Sequence, residues 1–312
     1  MKRMLLSLAI LLLAITANAG EEDITLNTPT GDIHGRLMLP EGKAPCPVVI
    51  IIAGSGPTDM NGNSIGLELT NNSLLYLAEE LAANGIASMR YDKRGIGRSA
   101  KAAPCEEELR FEHYINDATM WADKLGNDAR FNSVIIAGHS EGSLIGMIAA
   151  QQSKAVKGYI SIAGCGSPAN KILEKQLQNH AEWIRKDMMA ILNELCEERT
   201  VDNVPFYTES LFRPCVQPYL ISWFRYNPTK EIAKLDMPVL ILQGDRDMQV
   251  GVEEAEKLYA AKQDATYYII RDMNHVLKQC STDNIIDQIN IYNNPDLPIK
   301  TELVTYIVEF IK

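Results

Sequence analysis

The chain has 312 residues and a formal net charge of −10, with 40 Asp and Glu against 30 Lys and Arg. An acidic chain with no basic stripe carrying interleaved aromatics is repelled by nucleic acid, so that class of partner is not expected. Six cysteines without a single C-x-x-C pair argue against a zinc or thioredoxin-like motif, and the length suits one α/β core carrying an insertion.

Lys2 and Arg3 precede an apolar run, Met4 to Ile15, interrupted only by Ser7. Ala17-Asn18-Ala19 then offers a small-x-small cleavage site before acidic Glu21, Glu22 and Asp23. This order reads as a secretory signal peptide over 1–19, and its apolar part is shorter than the ~20 residues that cross a bilayer. The expectation is an exported protein, periplasmic or secreted, with no membrane span. Export permits disulfides, but the sequence neither chooses a pairing nor excludes buried free thiols.

Ile24–Asn27 and Ile33–Leu39 flank the turn-rich Thr28-Pro29-Thr30-Gly31-Asp32 and read as a hairpin. Val48-Val49-Ile50-Ile51-Ile52 is a continuous β-branched run, the mark of a strand buried on both faces. Ile86–Tyr91, Val134–Ala137, Tyr159–Ala163, Val239–Leu242 and Thr266–Ile270 repeat it and read as interior strands. Helical spacing falls between and after them, at Leu74–Ala83, Glu107–Leu125, Leu144–Gln152, Glu253–Ala261 and Thr301–Ile311. The alternation predicts an α/β fold with a doubly wound, mostly parallel sheet, its core formed by 20–166 and 237–312. Residues 167–236 break the pattern with amphipathic helices and a Pro- and aromatic-rich part. At ~70 residues this is too long for a plain loop and reads as a helical cap insertion.

Ser140 lies in Gly138-His139-Ser140-Glu141-Gly142, between a buried strand and a helix. A G-x-S-x-G turn in that context lifts a nucleophilic hydroxyl above the sheet. Of five histidines, His275 follows the strand Thr266–Ile270 by a short loop, at the sheet edge where Ser140 also sits, which makes it the candidate base. Asp245 and Asp247, just beyond Val239–Leu242, compete for the orienting acid. The oxyanion donors are expected to be the N–H of Glu141 and, from the glycine-bearing loop after the first long strand, that of Ser55, with Gly56 next. That loop lacks the Lys-Ser/Thr ending of a phosphate-binding loop.

Together these residues resemble the α/β-hydrolase superfamily across nearly the whole chain after residue 19. Gly54-Ser55-Gly56-Pro57-Thr58-Asp59 followed by Asn61-Gly62-Asn63 is similar to a group of bacterial secreted or periplasmic carboxylesterases, although many relatives carry His-Gly where Ala53-Gly54 stands. The G-x-x-D-x-x-V spacing of Gly244 to Val250 resembles the family's acid turn and favours Asp247 over Asp245. Tyr91 to Ser99 resembles its D-x-R-G-x-G-x-S segment, a structural turn. The resemblance implies hydrolysis of a small-molecule ester, such as a small acyl ester or an acylated carbohydrate, through an acyl-enzyme and without a cofactor or metal. A peptidase or thioesterase of the same fold, or a binding protein on an inactive scaffold, are the competing readings. Oligomeric state is left open.

Overall fold

Runs of Val and Ile with no polar interruption can settle only where both faces of a strand are covered, and they do so here. The computed structural model describes residues 16–17, 20–64, 66, 68–103 and 105–312. The signal peptide expected over 1–19 lies outside these residues except at 16–17.

The strands of the main sheet are β1 (Gly20–Thr28), β2 (Gly31–Leu39), β3 (Cys46–Ile52) and β4 (Ala87–Tyr91), then β5 (Phe131–His139), β6 (Val156–Ile162), β7 (Val239–Gly244) and β8 (Thr266–Ile270). They form one eight-stranded sheet in the order β8-β7-β6-β5-β3-β4-β2-β1. β1 and β2 pair antiparallel, β2 meets β4 antiparallel, and from β4 to β8 all pairings are parallel.

Side-chain alternation on β3 explains its unbroken apolar run. Val48, Ile50 and Ile52 enter one core cluster, with Trp121 and Phe111 of α2 (Phe111–Gly126) and Ile145 of α3 (Glu141–Gln152). Val49 and Ile51 enter the other, with Leu77 of α1 (Ser73–Ala83) and Leu303 of α11 (Thr301–Ile311). Helices therefore cover both faces. α3 is buried along nearly its whole length, which is why it is apolar on every side. Between β6 and β7 lie α4 (Ala169–Leu177), α5 (Glu182–Cys196), α6 (Glu209–Phe212), α7 (Gln217–Phe224) and α8 (Pro228–Ile232). α9 (Val252–Ala261) follows β7, and α10 (Ile285–Tyr292) follows the His275 loop.

Two expectations need correction. Thr266–Ile270 is an edge strand and not an interior one. Among the described residues only β7 pairs with it, and Tyr268 and Ile269 are exposed. The helix expected from Glu107 begins at Phe111, because Glu106–Glu108 forms a separate 3-10 turn. All six cysteines are free thiols.

Candidate active site

β5 ends at His139 and α3 begins at Glu141, so a single residue reverses the chain. Ser140 does this with φ 54° and ψ −120°, a conformation that costs an L-residue about 1–3 kcal/mol. The surroundings hold it there. Its N–H donates to the Ile162 carbonyl at 2.9 Å, and its carbonyl accepts the Ser143 N–H at 3.0 Å. A Cβ on Gly138 would lie 2.1 Å from the Gly142 carbonyl oxygen, and one on Gly142 would lie 2.3 Å from that of Ile52. Both glycines are therefore dictated by the closeness of strand and helix.

The loop after β8 carries His275, which is 5% exposed. Its Nδ1 is 2.7 Å from Asp247 Oδ2, which fixes the proton on Nδ1 and leaves Nε2 as the acceptor edge. Asp247 is clamped from every side. Oδ1 accepts the N–H groups of Gln249 and Val250 at 2.8 and 2.9 Å, and Oδ2 also accepts Gln243 Nε2 at 3.1 Å. Burial alone would raise the pKa of this carboxyl. The neighbouring His275, through its charge and its hydrogen bond, and the two backbone donors outweigh that and hold it below the ordinary carboxylate range. Asp245 sits outside this arrangement: its Oδ1 accepts the Asp272 N–H at 2.6 Å and it is exposed. Of the two competing aspartates, Asp247 is the one brought to His275.

His139 ties the His275 loop to the elbow. Its Nε2–H donates to the His275 carbonyl at 2.8 Å, and the two rings lie 4.7 Å apart. Burial, reinforced by the charge of His275, pushes the His139 pKa down to about 3, so this ring stays neutral and keeps its donor.

Ser55, Gly56, Ser140 and Glu141 line one cavity of about 930 Å³. Glu141 opens α3, so its N–H has no acceptor within the helix. A Cβ on Gly54 would lie 3.2 Å from Ser140 Cβ, which places the loop bearing Ser55 against the serine. The side chains near these two positions form a buried group that the sequence reading did not single out. Lys93 Nζ donates to Glu141 Oε2 at 2.5 Å and to the Gly54 carbonyl at 2.6 Å, and Tyr219 from α7 donates its hydroxyl to Glu141 Oε1. Asp92, beside Lys93, has the structural role: it accepts the Met60 and Arg98 N–H groups at 2.8 Å each.

Apolar side chains from α4 and α7, among them Ile172, Leu173, Leu220 and Trp223, line the rest of the cavity. Of the aromatics between β6 and β7, Tyr219 and Trp223 reach it, Phe224 packs against the core, and Trp183 and Phe206 face solvent. The cavity's two carboxylates are both paired, Glu141 with Lys93 and Glu106 with Arg213. Arg94 is likewise held by Asp117 at 2.6 Å. Glu182, Glu194 and Glu209 do not line it. Cys165 does, but burial, with the negative charge of Glu254 adding to it, pushes its pKa up to about 12, so it is a thiol at neutral pH and no rival nucleophile.

The fold that carries these residues recurs among solved structures. The described chain superposes on Est1E from Butyrivibrio proteoclasticus, solved with ferulic acid bound, with a TM-score of 0.63, at 20% identity over 92% of this chain and 99% of that one. An esterase domain from Rhodothermus marinus gives a TM-score of 0.56, at 17% identity over 94% and 100% of the two chains. The chain has the α/β-hydrolase fold. Within this hydrolase fold, residues 66–214 match the family model described as serine aminopeptidase, S33. Esterase EstD from Thermotoga maritima is 27% identical over 261 residues, covering 82% of this chain. The chain spans only 60% of that relative's length. Among the described residues, no helix is long and apolar enough to cross a membrane.

Proposed function

We propose that this chain is a serine carboxylesterase acting on small, uncharged esters with an apolar or aromatic acyl group. Ser140 Oγ attacks the ester carbonyl while His275 Nε2 takes its proton. Asp247 holds the imidazole tautomer and stabilises the imidazolium that forms. The N–H groups of Ser55 and Glu141 receive the oxyanion of the tetrahedral intermediate. His275 then protonates the departing alcohol, leaving an acyl-Ser140. Water, deprotonated by the same imidazole, releases the acid.

The observation that carries this reading is the Ser140 elbow opening on an apolar cavity whose charges are all paired, with the His275–Asp247 pair tied to that elbow through His139. A cavity of that kind favours neutral acyl groups. The esterase relative and the neighbour with ferulic acid bound support the same class. The family model's description supports a second reading, an aminopeptidase. A free amino terminus needs an unpaired carboxylate, however, and neither cavity carboxylate is free.

The test is a panel of p-nitrophenyl esters from acetate to octanoate with a feruloyl ester, run against aminoacyl p-nitroanilides. Esters are expected to win by at least ~10²-fold in kcat/KM, and Ser140→Ala should abolish their turnover. Faster anilide cleavage, or esterase activity that survives Ser140→Ala, refutes the proposal. We also propose that the protein acts after export, on the strength of the Lys2 to Ala19 segment. Fractionation of expressing cells tests this, and an unprocessed cytosolic product speaks against it.

A further inference from the structure

We infer that Lys93 is a positioning residue for the oxyanion hole, and that its ion pair with Glu141 locks the two proposed oxyanion donors into one unit seated under α7. The inference rests on the acyl-transfer reading above.

The peptide that joins Gly54 to Ser55 is held at its carbonyl end. Among the described residues the only cis peptide is Ala44–Pro45, so this one is trans, and its C=O and N–H point in opposite directions. Lys93 Nζ holds the Gly54 carbonyl at 2.6 Å. Fixing the carbonyl on one side fixes the direction of the Ser55 N–H on the other. Gly54 has no side chain, and Gly56 on the other side of Ser55 sits at φ 72°, so this stretch has little stiffness of its own to hold the peptide against rotation. An external anchor is required, and Lys93 is placed to be one.

The second donor is reached through the same nitrogen. Lys93 Nζ donates at 2.5 Å to the side chain of Glu141, the residue whose backbone N–H is the other donor. The side chains of both partners are nearly inaccessible, at 1% and 2% exposure. Burying such a pair is a poor route to stability, since apolar residues of similar volume usually do as well or better. Its placement between the two donors suggests a different role. One salt bridge sets the spacing between the Ser55 and Glu141 amides, which a developing oxyanion must bridge.

The remaining contacts seat this unit. Glu141 Oε1 accepts the Tyr219 hydroxyl, and Lys93 Nζ lies 5.0 Å from the centre of the Tyr114 ring. The Tyr114 and Tyr219 rings meet edge to face at 5.6 Å. Tyr219 belongs to α7, whose Leu220 and Trp223 line the cavity. A displacement of α7 would therefore reach the oxyanion donors through a single hydrogen bond.

The experiment uses the double variant Lys93→Met/Glu141→Gln, which removes the anchor without stranding a buried charge. Removing an oxyanion donor outright costs about 10²–10³-fold in kcat. A donor left unaimed should lose roughly 10²-fold in kcat on p-nitrophenyl butyrate, with KM nearly unchanged. Inhibition by a trifluoromethyl ketone, whose adduct carries the oxyanion, should weaken in step with kcat/KM. The rate of Ser140 labelling by a fluorophosphonate should fall as well. Should the double variant not fold, the neutral pair Lys93→Gln/Glu141→Gln weakens both anchors, again with no buried charge left alone, and is read the same way, with a loss of roughly tenfold expected. Unchanged kcat, ketone affinity and labelling rate overturn the inference. So does a loss carried by KM alone, which would make the pair a strut for α7. The labelling rate depends on no choice of substrate, so a wild type that labels but ignores esters sinks the ester reading and still tests Lys93. A wild type that does neither sinks both.

Discussion

Replacing Asp247 by Asn removes one charge and adds one donor at the most constrained point of the site. Oδ1 of Asp247 accepts two backbone N–H groups, from Gln249 and Val250, so the amide must keep its oxygen on that side. Its NH₂ then faces His275 Nδ1, now 2.7 Å away as a donor meeting a donor. The ring can respond only by moving its proton to Nε2, the atom proposed to accept the Ser140 proton. Gln243 offers no relief. Its Nε2 donates to the Val250 carbonyl at 2.8 Å, and flipping the amide would set oxygen against oxygen there. The wrong tautomer in an otherwise intact site costs about 10⁴-fold in kcat in the Ser-His-Asp precedent, or ~5 kcal/mol of transition-state stabilisation. Asp245→Asn keeps an acceptor for the Asp272 N–H and should stay within about twofold of wild type, as exposed substitutions usually do. Initial rates on p-nitrophenyl butyrate, with equal thermal stability of the two variants as the control, decide the matter. An Asp247→Asn variant retaining a tenth of wild-type kcat, or an Asp245→Asn variant that falls as far, refutes the reasoning.

Three further outcomes follow from the elbow and its neighbour. Ser140→Gly should be inactive yet more stable by roughly 1 kcal/mol in denaturant titration, because glycine adopts φ 54° without the cost a serine bears; a less stable variant removes the strain argument. Gly142→Ala should fail to give soluble folded protein, since its Cβ would sit 2.3 Å from the Ile52 carbonyl oxygen; normal melting would show that strand and helix can separate there. His139, with a folded pKa of about 3 against the usual 6.5, binds its proton only on unfolding between those values, so stability is complete above pH 6.5 and declines on acidification. The slope is about 1.4 kcal/mol per pH unit, and His139→Gln should flatten it between pH 6.5 and 5; identical slopes in chemical denaturation would exclude the ring as the source.

The strands carrying the site were readable because their apolar runs are continuous, and continuity of that kind has one common cause, burial on both faces. Ser140 was readable because two glycines bracket it at the joint between a strand and a helix. Thr266–Ile270 misled because Tyr and Ile give an edge strand the same composition as a central one; only pairing tells them apart. Lys93 gave no comparable signal. A lysine just past a buried strand reads as a solvated loop residue, and its partners lie 39 and 48 positions away along the chain. Gln243 was the better clue in hindsight, a polar residue ending the run Val239–Leu242 that would be costly to bury there without partners. α10 escaped because Ile285, Ile286 and Ile289 face solvent, so its apolar spacing marks no core face.

The position of β8 at the margin of the sheet has a consequence for how the protein fails. The serine, both proposed oxyanion donors and Lys93 are all supplied by residues 54–141, at the ends of central strands and the start of one helix. The proposed base alone is delivered by a strand that has a single neighbour among the described residues. Margins open before centres do. On gentle heating or limited proteolysis of the last strand and helix, turnover should therefore disappear while far-ultraviolet ellipticity is still near its native value, leaving a nucleophile in place with nothing to deprotonate it. Loss of activity and ellipticity at the same temperature would show instead that the sheet opens as one unit.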